Sequence, residues 1–186
     1  QVDAGRITRL TLRFEECRIP PERMPGYTGA RGPLVDALTG AQAAWDFMRP
    51  GLSAVMNGAC LGMLDHAAAM LASGEAMLSR GETARTGEGL KEFRARVDAA
   101  RLLVLRVAWR YDKGERVSGE ASIVKAHSSA LSMQLASWLA GRFFRQAACK
   151  GDRFEKFCRD AKGFDILEGT GDMQRIMAAR WLARAA

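Results

Sequence analysis

Residues 90–111 read Leu90-Lys91-Glu92-Phe93-Arg94-Ala95-Arg96-Val97-Asp98-Ala99-Ala100-Arg101-Leu102-Leu103-Val104-Leu105-Arg106-Val107-Ala108-Trp109-Arg110-Tyr111. Leu90, Phe93, Val97, Ala100, Val104, Val107 and Tyr111 recur at spacings of three and four, so one continuous apolar stripe runs along a helix. Lys113-Gly114 stops it. Downstream, Ile123, His127, Leu131, Leu135 and Leu139 follow at four-residue steps and predict a third helix. A shorter helical piece around 152–160 and a terminal helix over 171–184 come next. Upstream, a first helix is predicted to begin near Leu34 or Gln42 and to run to about Met77, with Pro50 kinking or restarting it. All prolines lie at or before Pro50, which suits a set of long helices beyond it.

The stretch 79–89, from Ser79 to Gly89, holds Gly81, Gly87 and Gly89 and no large apolar residue, and is expected to be a loop or a frayed helix end. Residues 7–19 alternate instead. Leu10, Leu12 and Phe14 fall on one side, Thr11, Arg13 and Glu15 on the other, the period of a half-buried strand. Pro20-Pro21 ends it, and Pro25-Gly26, Gly29 and Gly32-Pro33 extend the break into a loop. The expected fold is mainly α, an antiparallel bundle of four or five helices joined by short loops, preceded by a short N-terminal β-strand. The expected boundary lies after residue 33, with strand and linker over 1–33 and the bundle over 34–186.

The 186 residues fit one domain, and 48% hydrophobic content is ample for a sizeable core. No run of eighteen apolar residues occurs, so no transmembrane helix and no membrane partner are expected. Gln1 is not a start methionine and no signal-peptide pattern follows it, so the chain reads as a processed or excised piece. Cys17, Cys60, Cys149 and Cys158 form no C-x-x-C pair and read as reduced thiols of a cytoplasmic protein. A formal charge of +7 attracts polyanions, either nucleic acid or a nucleotide-bearing small molecule.

Several chemistries find no support. His66 and His127 are too few for most metal sites, and neither has glutamate three residues before it, so no metal is expected. His127 lies on an apolar face and reads as a core histidine. No G-x-S-x-G elbow, P-loop or G-x-G-x-x-G is present. The methionines and tryptophans at helical spacing read as core. Arg142, Arg145, Lys150, Arg153, Lys156, Arg159 and Lys162 form a basic run without an aromatic platform or a helix-turn-helix signature. A solvated or subunit-facing helix surface is the preferred reading, a basic helical nucleic-acid-binding module the less favoured one.

One carboxylate stands apart. Arg159-Asp160-Ala161-Lys162 is followed by Phe164-Asp165-Ile166-Leu167-Glu168-Gly169-Thr170 and Gln174-Arg175, which puts Glu168 in a glycine-containing turn just ahead of the terminal helix. A base held there can be aimed at a bound substrate while neighbouring backbone N–H groups bind an oxyanion.

This closing string resembles that of the acyl-CoA dehydrogenase family, and other segments do so in family order. Arg9 to Pro20 resembles the last strand of the family's middle β-domain. Ala44-Trp45-Asp46-Phe47-Met48-Arg49-Pro50 resembles the opening of the first long helix of its C-terminal domain. Ala108 to Gly114 and Ala121 to Ala126 resemble the end of the second helix and the start of the third. The resemblance implies the C-terminal half of such an enzyme, a four-helix-bundle domain with the end of the β-domain before it. It also implies FAD-dependent α,β-dehydrogenation of an acyl-CoA or acyl-carrier thioester, in which a carboxylate removes the α-proton and the β-hydrogen leaves as hydride. Glu168 matches the catalytic-base position, and its N–H would help to bind the thioester carbonyl. Some members carry the base on the first long helix instead, at the position of Met48, which cannot take a proton. Thr170 matches a flavin-contacting position. Asp46 and Arg49 match positions near the reacting end, Gly169 adjoins the base, Phe47 and Leu167 would wall the acyl pocket, and Arg116 would lie near the coenzyme A nucleotide.

Two family signatures are missing. Ser73-Gly74-Glu75-Ala76-Met77 stands where the family has arginine followed by Thr-Phe-Gly or Gln-Phe-Gly. Gly141-Arg142-Phe143-Phe144-Arg145-Gln146-Ala147 stands where it has glutamine and Gly-Gly-x-Gly. In the family those signatures reach across a dimer to the neighbouring subunit's flavin. The resemblance therefore implies a heteromer, in which the N-terminal half or a homologous acyl-CoA dehydrogenase subunit completes the site and this chain supplies Glu168. A degenerate structural subunit of such a complex is the alternative.

Overall fold

The computed structural model describes residues 13–23 and 37–185. A short 3-10 turn at Pro21–Arg23 precedes six helices: α1 (Ala37–Ser73), α2 (Arg80–Asp112), α3 (Ser118–Arg142), α4 (Phe144–Ala147), α5 (Arg153–Ile166) and α6 (Gly171–Ala185). Side-chain contacts fix their directions. Phe47 meets Tyr111 and Asp65 pairs with Arg94, so α1 and α2 are antiparallel. Arg110 pairs with Glu120 while Gly89 packs under Trp138, so α2 and α3 are antiparallel too. Along α3, Ala136 and Lys125 meet Cys158 and Asp165 of α5, and Ser129 and Gly119 meet Gly171 and Trp181 of α6. Thus α5 and α6 run in one direction along α3 as a single fourth rod of the bundle, broken between them at residues 167–170.

The core lies between α1, α2, α3 and α5, where Cys60 and Leu64, Phe93 and Val97, Leu131 and Leu135, and Phe154 and Phe157 are buried together. Val104, Val107, Val117, Ala121 and Val124 form a second apolar cluster at the far end of α2. At the start of α1 the buried face turns polar, with Arg49, Ser53 and Asn57, and α3 contributes Ser122, Lys125, Ser128 and Ser129. Buried polar groups at that density mark the part of the bundle where packing alone does not explain the sequence.

The mainly helical architecture agrees with the expectation, and several details correct it. Helix α1 runs on through Pro50, whose missing N–H leaves one carbonyl without its intrahelical donor. Residues 79–89 are not a loop. Ser79 caps α2, its hydroxyl accepting from Glu82 N at 3.4 Å while Glu82 Oε2 accepts from Ser79 N at 2.9 Å. This capping box contributes about 1 kcal/mol against the roughly 1 kcal/mol that each glycine costs, and the burial of Thr86, Leu90 and Phe93 offsets the rest. Gly89 is there for space, because a Cβ would stand 2.3 Å from the Trp138 ring. His127 is exposed rather than core, and Ile123 is only half-buried. Four-residue steps drift about 40° each around a helix, so the Leu131–Leu139 row rotates off the core by residue 127. Tyr111, at the end of the α2 stripe, is likewise exposed.

The described part of the expected strand, residues 13–19, is irregular, and residues 7–12 lie outside the described residues. A strand needs a neighbour to complete its hydrogen-bond ladder, and none is present among the described residues. The expectation about membrane spans also needs correcting for α1, whose segment 40–73 is long and apolar enough to cross a bilayer by length and composition. Its buried positions Met56, Cys60, Leu64 and Ala67 are covered by the bundle, the last three within the main core cluster. The basic run is engaged locally: Lys156 with Asp160, Arg159 with Glu155, Lys162 with Asp165, and Arg142 over the Trp138 ring. All four cysteines are free.

Candidate functional site

The break between α5 and α6 uses backbone conformations that few residues accept. Leu167 leaves α5 with φ −62° and ψ 144°, then Glu168 takes φ +57° and Gly169 φ +95°. Left-handed backbone costs a non-glycine residue roughly 1–2 kcal/mol, so the surroundings must impose it on Glu168. Three side chains from three helices do so. Lys125 Nζ donates to Asp165 O at 2.8 Å and to Gly169 O at 2.7 Å. Gln174 Nε2 donates to Glu168 O at 3.0 Å, and Arg49 Nε donates to the same oxygen at 3.4 Å. Asp165 Oδ1 accepts from Gly171 N at 3.2 Å and Thr170 Oγ1 from Met173 N at 3.3 Å, which starts α6 on side-chain caps. A Cβ on Gly169 would stand 2.6 Å from Gln174 Nε2 and one on Gly171 2.7 Å from Asp165 Oδ1, so either would displace a side chain that holds the turn, and Gly169 is needed for its φ as well.

Glu168 and Gly169 line a cavity of about 780 Å³ between the start of α1, the α2–α3 connection and α6. That volume suits a small molecule. Its walls include Trp45, Asp46 and Arg49 from α1, Arg116 from the connection, and Met173 and Met177 from α6. Arg49 is only 3% exposed. Its guanidinium lies over the Trp45 ring at 5.3 Å, 3.8 Å from Asp46 Oδ1 and 3.4 Å from Ser122 Oγ. Burial pulls Arg49 below its ordinary pKa against the opposing pull of Asp46 and then Glu168. The group stays charged, so the cavity carries a fixed cation beside the Glu168 turn. Asp46 is itself held by Gln42 at 2.5 Å and by the Ser118 hydroxyl of α3.

Beneath the turn, burial pushes the Lys125 ammonium down to about 8, with Asp165 pulling the other way. Burial opposes ionisation of Asp165, but Lys162, Lys125 and Ser129 outweigh it and hold that carboxyl below its ordinary value.

Of the residues expected at the site, the structure brings Glu168, Gly169, Asp46, Arg49 and Arg116 onto one cavity. Phe47, Leu167 and Thr170 are not on its wall. Phe47 is 65% exposed, its ring tilted against Tyr111 at 5.6 Å. Two residues turn a helix about 200°, so Phe47 faces away from the side shared by Trp45 and Arg49. Leu167 is half-buried in the turn, and Thr170 is exposed with its hydroxyl capping α6. Trp45, Met173 and Met177 supply the apolar wall instead. Lys125 and Arg180 were not singled out by the sequence. The apolar neighbours of Lys125 gave the only available signal, a lysine on a face that otherwise packs.

The two segments lacking the family signatures meet each other, with Arg145 donating to the Met77 sulfur at 3.6 Å. Phe143 is buried and stacked on Phe154 at 4.6 Å, and residues 144–147 form the short α4 where a glycine-rich turn was missing.

Comparison with known proteins agrees with this geometry. Residues 38–183 match the family described as acyl-CoA dehydrogenase, C-terminal domain. The probable acyl-CoA dehydrogenase FadE25 of Mycobacterium tuberculosis is 32% identical over 178 residues, covering 93% of this chain and 43% of that protein. Its counterpart in Mycobacterium leprae is 30% identical over the same coverage. The chain therefore spans less than half the length of these relatives. In fold it is similar to butyryl-CoA dehydrogenase from Megasphaera elsdenii, with TM-score 0.64 and 22% identity over 77% of this chain and 38% of that one. A chain from structural work on the electron transferring flavoprotein of Acidaminococcus fermentans gives TM-score 0.67 and 23% identity, over 77% of this chain and 38% of that one. The chain belongs to the acyl-CoA dehydrogenase family, and its helical bundle is that family's C-terminal domain.

Proposed function

We propose that this chain supplies the catalytic base, Glu168, for FAD-dependent α,β-dehydrogenation of an acyl thioester, and that a partner chain completes the flavin site. The observation that carries the reading is the strained, three-sided anchoring of Glu168 on the wall of a small-molecule cavity. Strain of this kind persists where the surrounding structure over-determines the backbone, and it clusters at functional sites. Glu168 takes the α-proton onto its carboxylate while backbone N–H groups of the turn bind the thioester carbonyl and stabilise the enolate-like charge. When bound, FAD supplies the two-electron acceptor for the β-hydrogen. Arg49 fixes the carbonyl of Glu168, Trp45, Met173 and Met177 exclude water from the acyl chain, and Arg116 at the mouth pairs with the thioester's phosphate groups.

The residues present fit half of a flavin site. The exposed Thr170 hydroxyl accepts from Met173 N and still has its own hydrogen to donate. The segments 73–77 and 141–147 do not fit the other half, since the buried Phe143 and helical α4 stand where close backbone approach would be needed. That mismatch supports a heteromer, in which a homologous subunit lends the missing half. It also favours a second reading, a structural subunit that only stabilises its partner. Glu168→Gln in the co-purified flavin-bearing complex separates the two. Turnover should fall by about a hundredfold to ten-thousandfold with flavin content and melting temperature retained, the range expected for loss of a general base. Unchanged turnover would leave the structural reading.

A further inference from the structure

We propose that Lys125 is a positioning residue for the Glu168 turn, acting through the backbone to fix where the base stands. This rests on Glu168 being the proton acceptor. The geometry points to it because α5 and α6 are one rod interrupted opposite Lys125. At such a break the terminal carbonyls lose their intrahelical donors and gather partial negative charge on one side. Lys125, with no exposed surface, rises from α3 into that break. Its ammonium spans Asp165 O, the last turn of α5, and Gly169 O, the approach to α6, at 2.8 and 2.7 Å. The two residues between them that leave the helical path are Leu167 and Glu168.

The other two anchors do a different job. Arg49 and Gln174 both reach Glu168 O, and Gln174 Nε2 also donates to Gly169 O at 3.4 Å, so they act on the middle and far side of the turn and not on the end of α5. Lys125 joins the two ends of the break through their carbonyls, beside the bond from Gly171 N to Asp165 Oδ1 at 3.2 Å, and so helps to set its span. An apolar side chain of similar length would leave Asp165 O without its side-chain donor and Gly169 O with only the longer bond from Gln174. The turn would recover them by rewinding toward helix, which removes the left-handed conformation at Glu168 and withdraws its side chain from the cavity. A buried ammonium is an expensive way to fill space, and a core position tolerating it needs a return of this kind. Charged groups facing it are Asp165 and Glu168 of the turn and Arg49 of α1.

The test uses this chain in its flavin-bearing complex, with Lys125→Met, Lys125→Arg and Glu168→Gln compared with wild type. Lys125→Met should lower kcat by about 10- to 100-fold, the loss expected for a misplaced base, with KM changed by less than about threefold. Amide hydrogen exchange should speed up over residues 166–170 and stay slow over 131–139 of α3. Lys125→Arg keeps the charge and donors in a larger group. It should fold even where the Met variant does not, and should show a smaller kcat loss with intermediate exchange. Wild-type kcat and wild-type exchange at the turn in both variants would overturn the proposal. Turnover surviving in Glu168→Gln would overturn the base assignment instead, and the exchange measurement would still decide whether Lys125 holds the turn.

Discussion

Gln174 Nε2 donates to Glu168 O at 3.0 Å, and that same nitrogen occupies the place where a Cβ on residue 169 would lie, 2.6 Å away. The bond that fixes the Glu168 carbonyl and the requirement for glycine next to it are therefore one constraint. Gly169→Ala must both adopt φ +95° and expel the Gln174 amide. Stability should drop by about 1–3 kcal/mol, and turnover by more than the loss of folded protein accounts for. Thermal melts and kcat measured on the same preparation check this.

Gly87 and Gly89 sit two residues apart in α2 with opposite surroundings. A Cβ on Gly87 meets nothing within 4 Å, whereas one on Gly89 would lie 2.3 Å from Trp138. Gly87→Ala should stabilise by up to about 1 kcal/mol through helix propensity. Gly89→Ala should destabilise by about 1–3 kcal/mol, because the Trp138 ring, packed on Phe93 at 5.2 Å, has to turn. Denaturant midpoints shifted in opposite directions are the expected result.

Burial moves Lys125 from its ordinary 10.5 to about 8 in the folded chain. Between those values the unfolded chain keeps a proton that the folded chain has released, so Lys125 adds stability as pH rises through that window. Below it both states are protonated, and the folded state bears the cost of the buried charge. Melting temperatures of wild type and Lys125→Met, taken below and above the window, should separate further in favour of wild type at the higher pH. A gap independent of pH would refute the depressed value.

Arg49→Lys keeps the charge but not the flat fork that reaches Glu168 O, Ser122 Oγ and the Trp45 face together. An ammonium cannot reproduce those three directions. The complex should keep its flavin and lose about tenfold or more in kcat/KM. Kinetics of the Arg49→Lys complex equal to those of wild type would mean that charge alone matters there.

The helices were legible because burial repeats along them: Leu90, Phe93, Val97, Ala100, Val104 and Val107 occupy the buried positions that their spacing demanded. Gly81, Gly87 and Gly89 hide the start of α2 in the sequence, whereas the structure begins the helix on the Ser79–Glu82 capping box. The flanking string of Glu168 marks it in the sequence, and the structure places it on the cavity wall. Lys125 is marked only by its apolar neighbours, since its partners lie 40 and 44 residues away. Phe47 was grouped with Asp46 and Arg49 because all three stand in one matching string, although neighbours on a helix point to different sides.

Because Glu168, the proposed proton acceptor, hangs from α1, α3 and α6 at once, its accuracy is a property of the whole bundle. A core substitution that lets any one of those helices slide, as distant as Leu135 or Phe157, transmits that slack to residue 168. Catalytic decline should then precede unfolding on heating, with the reaction serving as the most sensitive gauge of how tightly the rods are seated.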